Sequence, residues 1–354
     1  MSSRALPMLI DGPGPSPGST VVFATNGSIC HRIPTGIRTF SGIILAFAEK
    51  RLNACGDGGR HRLVLRRSKD GGNTWGPVIV VVGKPKDGKP PCVGCTPSTS
   101  NPNPVEVLRP DGSRAILMHY TTLNNPTIAK HGIDRQVWSF DEGLTWEQDS
   151  AIAYPPVPNL GGLIGPSTGL QSLSGRIYFS ALSPEDGQVF LYWSRDFGAS
   201  WKSSSRRVAG VTECSIAFRS GFGRSDERIL MHCRMLKLNR RAQIVWSADG
   251  EPGSVVPVVI DPNSQGSLIN AGQRLFMSSP NSSSFNSRRR MTVRSSHDGG
   301  AHWDDGVEIW RGASAYSQLI DLKSANGELG LLFESGRGKL NPYETISFTR
   351  VSPR

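Results

Sequence analysis

The chain has 354 residues, 37% hydrophobic and 19% charged, which is a folded rather than a disordered composition. Its formal charge of +11 suits an anionic partner: nucleic acid, an anionic membrane surface or an acidic sugar. The basic residues are scattered and lack interleaved aromatics, which argues against a nucleic-acid groove, and no apolar run is long enough for a membrane-spanning helix.

Residues 1–20 read as a flexible leader without the apolar core of a signal peptide, so the expected location is cytoplasmic, or secreted with a leader removed. From residue 21 to 354 the chain reads as one domain of short strands and tight turns, in keeping with its 40 glycines and 25 prolines. The segments HRIPTGI (31–37), ILAFAEKR (44–51) and GDGG (56–59) precede the strand RLVLRRS. That strand runs into Ser68-Lys-Asp-Gly-Gly-Asn-Thr-Trp75, the first copy of a pattern Ser-x-Asp-x-Gly-x-x-Trp. A Pro/Gly/Lys-rich stretch, 84–104, follows and is expected to be a surface loop. It contains Cys92-Val93-Gly94-Cys95, half a zinc site by spacing; with no second pair or histidines beside it, a metal is not expected, and free thiols or a local disulfide are the alternatives.

The pattern returns at Ser139–Trp146, Ser194–Trp201 and Ser296–Trp303, with a degenerate copy from Ser247. Each copy follows a strand-like run, and turn chemistry accounts for every fixed residue. Ser and Asp bond turn amides, Gly takes positive φ and Trp packs between strands. The boxes are therefore read as structural. Their starts are separated by 71, 55, 53 and 49 residues, the size of a propeller blade, and the strands after Trp303 supply one more unit. The expectation is an all-β, six-bladed β-propeller of four-stranded antiparallel blades.

Propellers host many functions, so activity must be argued from other residues. Here the chain resembles the exo-α-sialidase (neuraminidase) family, whose Asp-box repeats match the four boxes. HRIPTGI resembles the family's F/Y-R-I-P motif, with His31 in place of the aromatic, and TECSIAF, MHCRM, SRRRMTVRSS, ASAYSQL and GLLFESG follow in the family's order. The resemblance implies a carboxylate clamp of Arg32, Arg234 and Arg288, with Arg289 the fallback for the third position. It implies Tyr316 as nucleophile, Glu213 as its base, Asp57 as general acid, and Glu334 steadying Arg32. Arg51 would contact sugar hydroxyls, and Glu49 would support the arginines. Ser100–Val105 resembles the family's GNPAPV with serine for glycine, and Asp134 is a candidate for an acidic residue some members carry on the second blade.

The chemistry is coherent. Guanidinium groups bind a sugar carboxylate through planar charge-assisted hydrogen bonds. A neutral phenol approaches the anomeric carbon without the repulsion an anionic nucleophile would meet. The Asp57 pKa is expected to rise when substrate closes over it. The implied activity is retaining hydrolysis of terminal α-linked sialic acids, Neu5Ac or KDN, from glycoconjugates, without cofactor. The alternatives are a sialic-acid transferase and a non-catalytic glycan-binding or scaffold propeller.

Overall fold

A computed structural model describes residues 18–52, 54–57, 60–82, 98–123, 133–153, 163–183, 186–219, 227–338 and 340–352. The described part is all β, and none of it forms a helix long and apolar enough to cross a membrane. Most of the expected leader lies outside the described residues, as do Cys92, Cys95 and 84–97 of the expected loop. The remainder of that stretch is not loop, because a strand begins at Ser98.

Strand β1 (Thr20–Ala24) is set aside at the start of the chain and joins the last sheet. The first blade-like sheet is β2 (Ile29–Arg38), β3 (Ile44–Leu52), β4 (Arg60–Ser68) and β5 (Ile79–Val82), in that order and antiparallel. The second is β6 (Ser98–Leu108), β7 (Arg114–Leu123), β8 (Ile133–Ser139) and β9 (Glu147–Ala151). The third joins the short β10 (Leu163–Ile164) and β11 (Leu170–Gln171) to β12 (Ile177–Ser183), β13 (Gln188–Ser194) and β14 (Lys202–Ser203). The fourth is β15 (Val211–Phe218), β16 (Ile229–Met235), β17 (Arg240–Trp246) and β18 (Val256–Ile260). The rest of the chain, β19 (Ser267–Ala271), β20 (Arg274–Pro280), β21 (Arg289–Ser296), β22 (Val307–Asp321), β23 (Leu329–Ser335) and β24 (Thr345–Val351), forms one seven-stranded sheet with β1.

Six separate four-stranded blades, expected from the box spacing, are therefore not formed. The described strands make four blade-like sheets and one larger sheet. The cause is β22, which is 15 residues long. Its first half pairs with β21 and its second with β23, so the sheet runs on without a break where a blade boundary was expected.

The core lies between sheets, which face one another around a ring. Leu45, Phe47 and Leu65 of the first sheet pack on Ile116, Met118 and Val137 of the second. Phe179 and Tyr192 of the third meet Leu117 and Trp138 of the second, and Leu230 of the fourth meets Leu268, Leu275 and Met277 of the last. Ile320, Leu332 and Phe348 of the last sheet return to Ile44, Ala46 and Val64 of the first. Each such side chain contributes about 1.5–3 kcal/mol when fully buried.

The four boxes are built alike. Gly72 N–H donates to Ser68 Oγ at 2.8 Å, Ser68 Oγ donates to Asp70 at 2.8 Å, and Thr74 donates from both backbone and hydroxyl to Asp70 at 2.9 and 2.6 Å. The same bonds recur around Asp141, Asp196 and Asp298, where His302 replaces the hydroxyl donor. Each box also seals the joint to the preceding sheet. Gly72 has φ +93°, and a Cβ there would lie 2.0 Å from Phe348, while Trp75 meets the same ring edge-on at 5.5 Å. The degenerate box keeps only the serine–amide bond, from Glu251 N–H to Ser247 Oγ at 3.1 Å. Its Asp249 instead faces Arg176 and Arg195 at 3.4 Å.

Candidate active site

Several of the proposed site residues come from strands that share one irregularity. Pairing of β2 with β3 slips between Arg32 and Thr35, and β6 with β7 between Ser100 and Asn103. Pairing of β15 with β16 slips between Thr212 and Ser215, and β22 with β23 between Ser314 and Ser317. A β-bulge bends its strand and re-aims a side chain. Ile33, Asn101 and Glu213 take φ values of 59°, 57° and 47° at these places, a conformation that costs non-glycine residues energy and collects at functional sites. The bulges bring Ile33, Asn101, Glu213 and Tyr316 out of ladder register, and Arg32 is the last paired residue before the first slip.

Glu334, fully buried in β23, accepts four hydrogen bonds. Oε1 takes Arg32 Nε at 2.9 Å and Ile33 N–H at 3.0 Å, while Oε2 takes Arg32 Nη2 at 3.3 Å and Tyr316 N–H at 3.1 Å. One carboxylate thus fixes both the first clamp arginine and the backbone of the proposed nucleophile. Burial works to lower the Arg32 pKa, but Glu334, Tyr343 and Tyr316 outweigh it and hold the guanidinium above its ordinary range. Its guanidinium carbon lies 3.9 Å from the Tyr343 ring centroid.

Tyr316 is buried, and its hydroxyl donates to Glu213 Oε1. Burial pushes this phenol well above its usual pKa and Glu213 adds to the shift, while Arg288, Arg32 and Arg234 pull the other way. The resting group is a neutral phenol already bonded to the Glu213 carboxylate. The other Glu213 oxygen accepts Arg234 Nη1 at 3.0 Å, and Arg234 Nε donates to Asn263 Oδ1 at 2.5 Å. Arg288 donates to the Tyr343 hydroxyl at 3.3 Å and the Asn263 carbonyl at 3.1 Å, and its guanidinium carbon lies 5.4 Å from the Tyr316 ring centroid. Arg289 is exposed, and Arg290 turns to Glu308 at 2.6 Å. Of the three consecutive arginines, Arg288 is the one that reaches Tyr316.

Asp57 is held by a second buried pair. Arg51 bonds Glu49 Oε2 through Nε at 2.8 Å and through Nη2 at 2.7 Å, while its Nη1 reaches the Cys55 carbonyl at 2.5 Å and Asp57 Oδ1 at 2.7 Å. Arg51, 2% exposed, is thus a support of Asp57. Glu49 also accepts from the Ser100 hydroxyl and from Asn101 N–H at 2.8 Å, so the serine standing where the resembling motif has glycine makes a bond glycine would lack. The Asp57 side chain is 86% exposed and lies 4.0 Å from Arg32. Desolvation raises its pKa, but Arg51 and then Arg32 outweigh that and hold it below the usual aspartate value. Burial lowers the pKa of His61 behind this group, against the pull of Glu49.

Asp134 is buried in β8, where it accepts the Thr121 hydroxyl at 2.6 Å. Asn263 and Tyr343 are site-shaping residues that sequence reasoning missed, and neither stands in a recognisable motif. The disulfides Cys30–Cys55 and Cys214–Cys233 were missed too, although their cysteines lie within two residues of Arg32, Asp57, Glu213 and Arg234. Among the described residues, no group of three or more His, Cys, Asp or Glu side chains is placed to hold a metal ion.

A family model described as the BNR repeat-like domain matches residues 57–331. The chain belongs to this BNR repeat-like family. The match agrees with the Asp-box resemblance. A sialidase of Micromonospora viridifaciens is 27% identical over 346 residues, covering 87% of this chain and 50% of its own. An exo-alpha-sialidase of Aspergillus fumigatus is 26% identical over 369 residues, covering 91% of this chain and 83% of its own. The solved Hadza microbial sialidase Hz136 matches with a TM-score of 0.75 and 22% identity, over 91% of this chain and 66% of that one. The BNR chain thus has a sialidase-like fold and spans half the length of the Micromonospora relative.

Proposed function

We propose that this BNR protein is a retaining exo-glycosidase that hydrolyses terminal α-linked sialic acids through a tyrosyl-enzyme intermediate. The observation that carries the reading is the Tyr316–Glu213 hydrogen bond set among Arg32, Arg234 and Arg288. Arg288 bonds only neutral acceptors among the described residues, which leaves its charge for an anionic ligand. The sialidase relatives support the same substrate class.

In the first step the three arginines hold the substrate carboxylate. Tyr316 Oη attacks the anomeric carbon as its proton passes to Glu213. The bond to the aglycone breaks, and Asp57 gives its proton to the departing oxygen. In the second step Asp57 takes a proton from water, the water oxygen attacks the anomeric carbon from the vacated side, and the tyrosyl bond breaks. Glu213 returns its proton to Tyr316. Two inversions give net retention. Asp57 must begin protonated; the substrate carboxylate offsets Arg32, and water exclusion adds to the desolvation that already favours the neutral acid.

The test is release of a fluorogenic alcohol from α-linked Neu5Ac and KDN glycosides, side by side. Turnover of at least one is expected, with the free sugar as product and no transfer to an added glycan. Tyr316→Phe should cut turnover by about 10³-fold or more at unchanged thermal stability. No turnover of either glycoside by folded protein would refute the activity, and full activity of Tyr316→Phe would refute the mechanism.

A further inference from the structure

Both disulfides among the described residues sit beside groups of the proposed mechanism, but in different settings. Cys214 follows Glu213 and Cys233 precedes Arg234; their bond lies buried between β15 and β16, strands already paired on either side of it at Thr212–Arg234 and Ser215–His232. Cys30 lies in β2 two residues before Arg32, and Cys55 lies beyond the end of β3, two residues before Asp57. The described residues 54–57 belong to no strand. They are held by the Cys30–Cys55 bond, by Arg51, whose Nη1 reaches both the Cys55 carbonyl at 2.5 Å and Asp57 at 2.7 Å, and by the longer Arg32–Asp57 ion pair at 4.0 Å. The Asp57 side chain is 86% exposed and both arginines meet it at Oδ1, so its place depends on its backbone as well.

We propose that the Cys30–Cys55 disulfide is a positioning element for the general acid: it anchors the Asp57 backbone to the strand that carries Arg32, so that proton delivery to the departing oxygen requires the oxidised protein. The proposal rests on Asp57 being the acid. Arg51 alone is a poor substitute, because its bond to the Cys55 carbonyl exists only while that carbonyl is held in place. Such a bond persists in oxidising surroundings and not in a reducing cytosol.

The leaving group separates this role from general stabilisation. An aryl sialoside leaves as a stabilised phenolate and needs little protonation, whereas an alkyl or sugar aglycone needs the acid. The full chain carrying Cys30→Ser and Cys55→Ser together is compared with Cys214→Ser/Cys233→Ser and with Asp57→Asn on both substrate kinds. The first pair should lower kcat/KM for the alkyl sialoside by about 10²-fold, the loss expected for a misplaced group, and the aryl value far less. The Cys214/Cys233 pair, beside the base and a clamp arginine, should lower both alike. Equal losses on the two substrates for Cys30→Ser/Cys55→Ser, or no loss, would overturn the proposal. If that variant is too unstable to assay, wild-type protein reduced under native conditions, with Cys30 and Cys55 identified by alkylation, gives the same ratio, read by the same criterion. If Asp57→Asn itself shows no leaving-group dependence, it is the assignment of the acid that fails.

Discussion

Glu334→Gln isolates the electrostatic support of the site. The substitution keeps the shape of a fully buried side chain and removes its charge. One amide oxygen can still accept from one pair of donors, either Arg32 Nε with Ile33 N–H or Arg32 Nη2 with Tyr316 N–H. The amide nitrogen must then face the other pair, leaving it unpaired in the interior. Hydrogen bonds to charged groups contribute about 1.5–3 kcal/mol each, and breaking a buried ion pair costs about 3–5 kcal/mol, so the expected loss is about 3–5 kcal/mol. With an unfolding entropy of about 2.1 cal/mol/K per residue, a chain of this length should melt roughly 4–7 °C lower. Arg32 would also lose its orientation, so KM should rise. The check is a double-mutant cycle by calorimetry: Arg32→Met strands Glu334, Glu334→Gln strands Arg32, and the pair together should cost less than the sum. Additive effects, or a melting temperature for Glu334→Gln within about 1 °C of wild type, would show that the buried pair does not carry the energy assigned to it.

Three further outcomes follow from named contacts. Asn263→Ala removes the acceptor of Arg234 and unsettles the backbone that Arg288 bonds, so binding of a carboxylate inhibitor should weaken by about 10-fold or more with melting little changed; unaltered binding would remove Asn263 from the clamp. Gly72→Ala places a Cβ against Phe348 at positive φ and should cost about 2–5 kcal/mol without changing KM, as seen by denaturant unfolding; a neutral effect would show that the box joint has slack. Because Arg51 and Arg32 hold the Asp57 pKa down in the free protein, its protonated fraction falls as pH rises through a low value, and kcat/KM on an alkyl sialoside should decline from acidic pH upward. In the complex the substrate carboxylate offsets Arg32, so the same limb in kcat should lie at higher pH; coincident limbs in the two profiles would contradict this account.

The boxes were legible because their chemistry is local. Ser68, Asp70, Gly72 and Trp75 fall within eight residues and use turn bonds that recur in any tight turn of this shape. The division into sheets was not, because box spacing counts strand pairs and says nothing about whether one strand serves two neighbours, as β22 does. The surroundings of Asp134 were not legible either, because strand register alone does not tell that this acidic residue faces the Thr121 hydroxyl. Arg51 was placed in the right neighbourhood, but only the fold reveals that its donors engage Glu49, Cys55 and Asp57.

The bulges explain why a site spread over the chain can still be compact. A strand in regular register points alternate side chains to opposite faces, so adjacent residues cannot serve one cavity. At each slip that constraint is lifted. Arg32 can meet Glu334 while the neighbouring Ile33 amide meets the same carboxylate, and Glu213 can face Tyr316 although Cys214 beside it is buried in the disulfide. The energetic cost of positive φ at Ile33, Asn101 and Glu213 is carried by bonds to buried carboxylates at the first two and by the Arg234 and Tyr316 contacts at the third. Glycine at position 213 would relieve the backbone strain and delete the base. A Glu213→Gly protein should therefore gain backbone ease yet lose turnover by about 10²–10⁴-fold, the contribution of a positioned base. If added formate restored turnover, the carboxylate would be identified as the missing chemical element; failure of formate to rescue a folded Glu213→Gly protein would argue that Glu213 acts on Arg234 rather than on Tyr316.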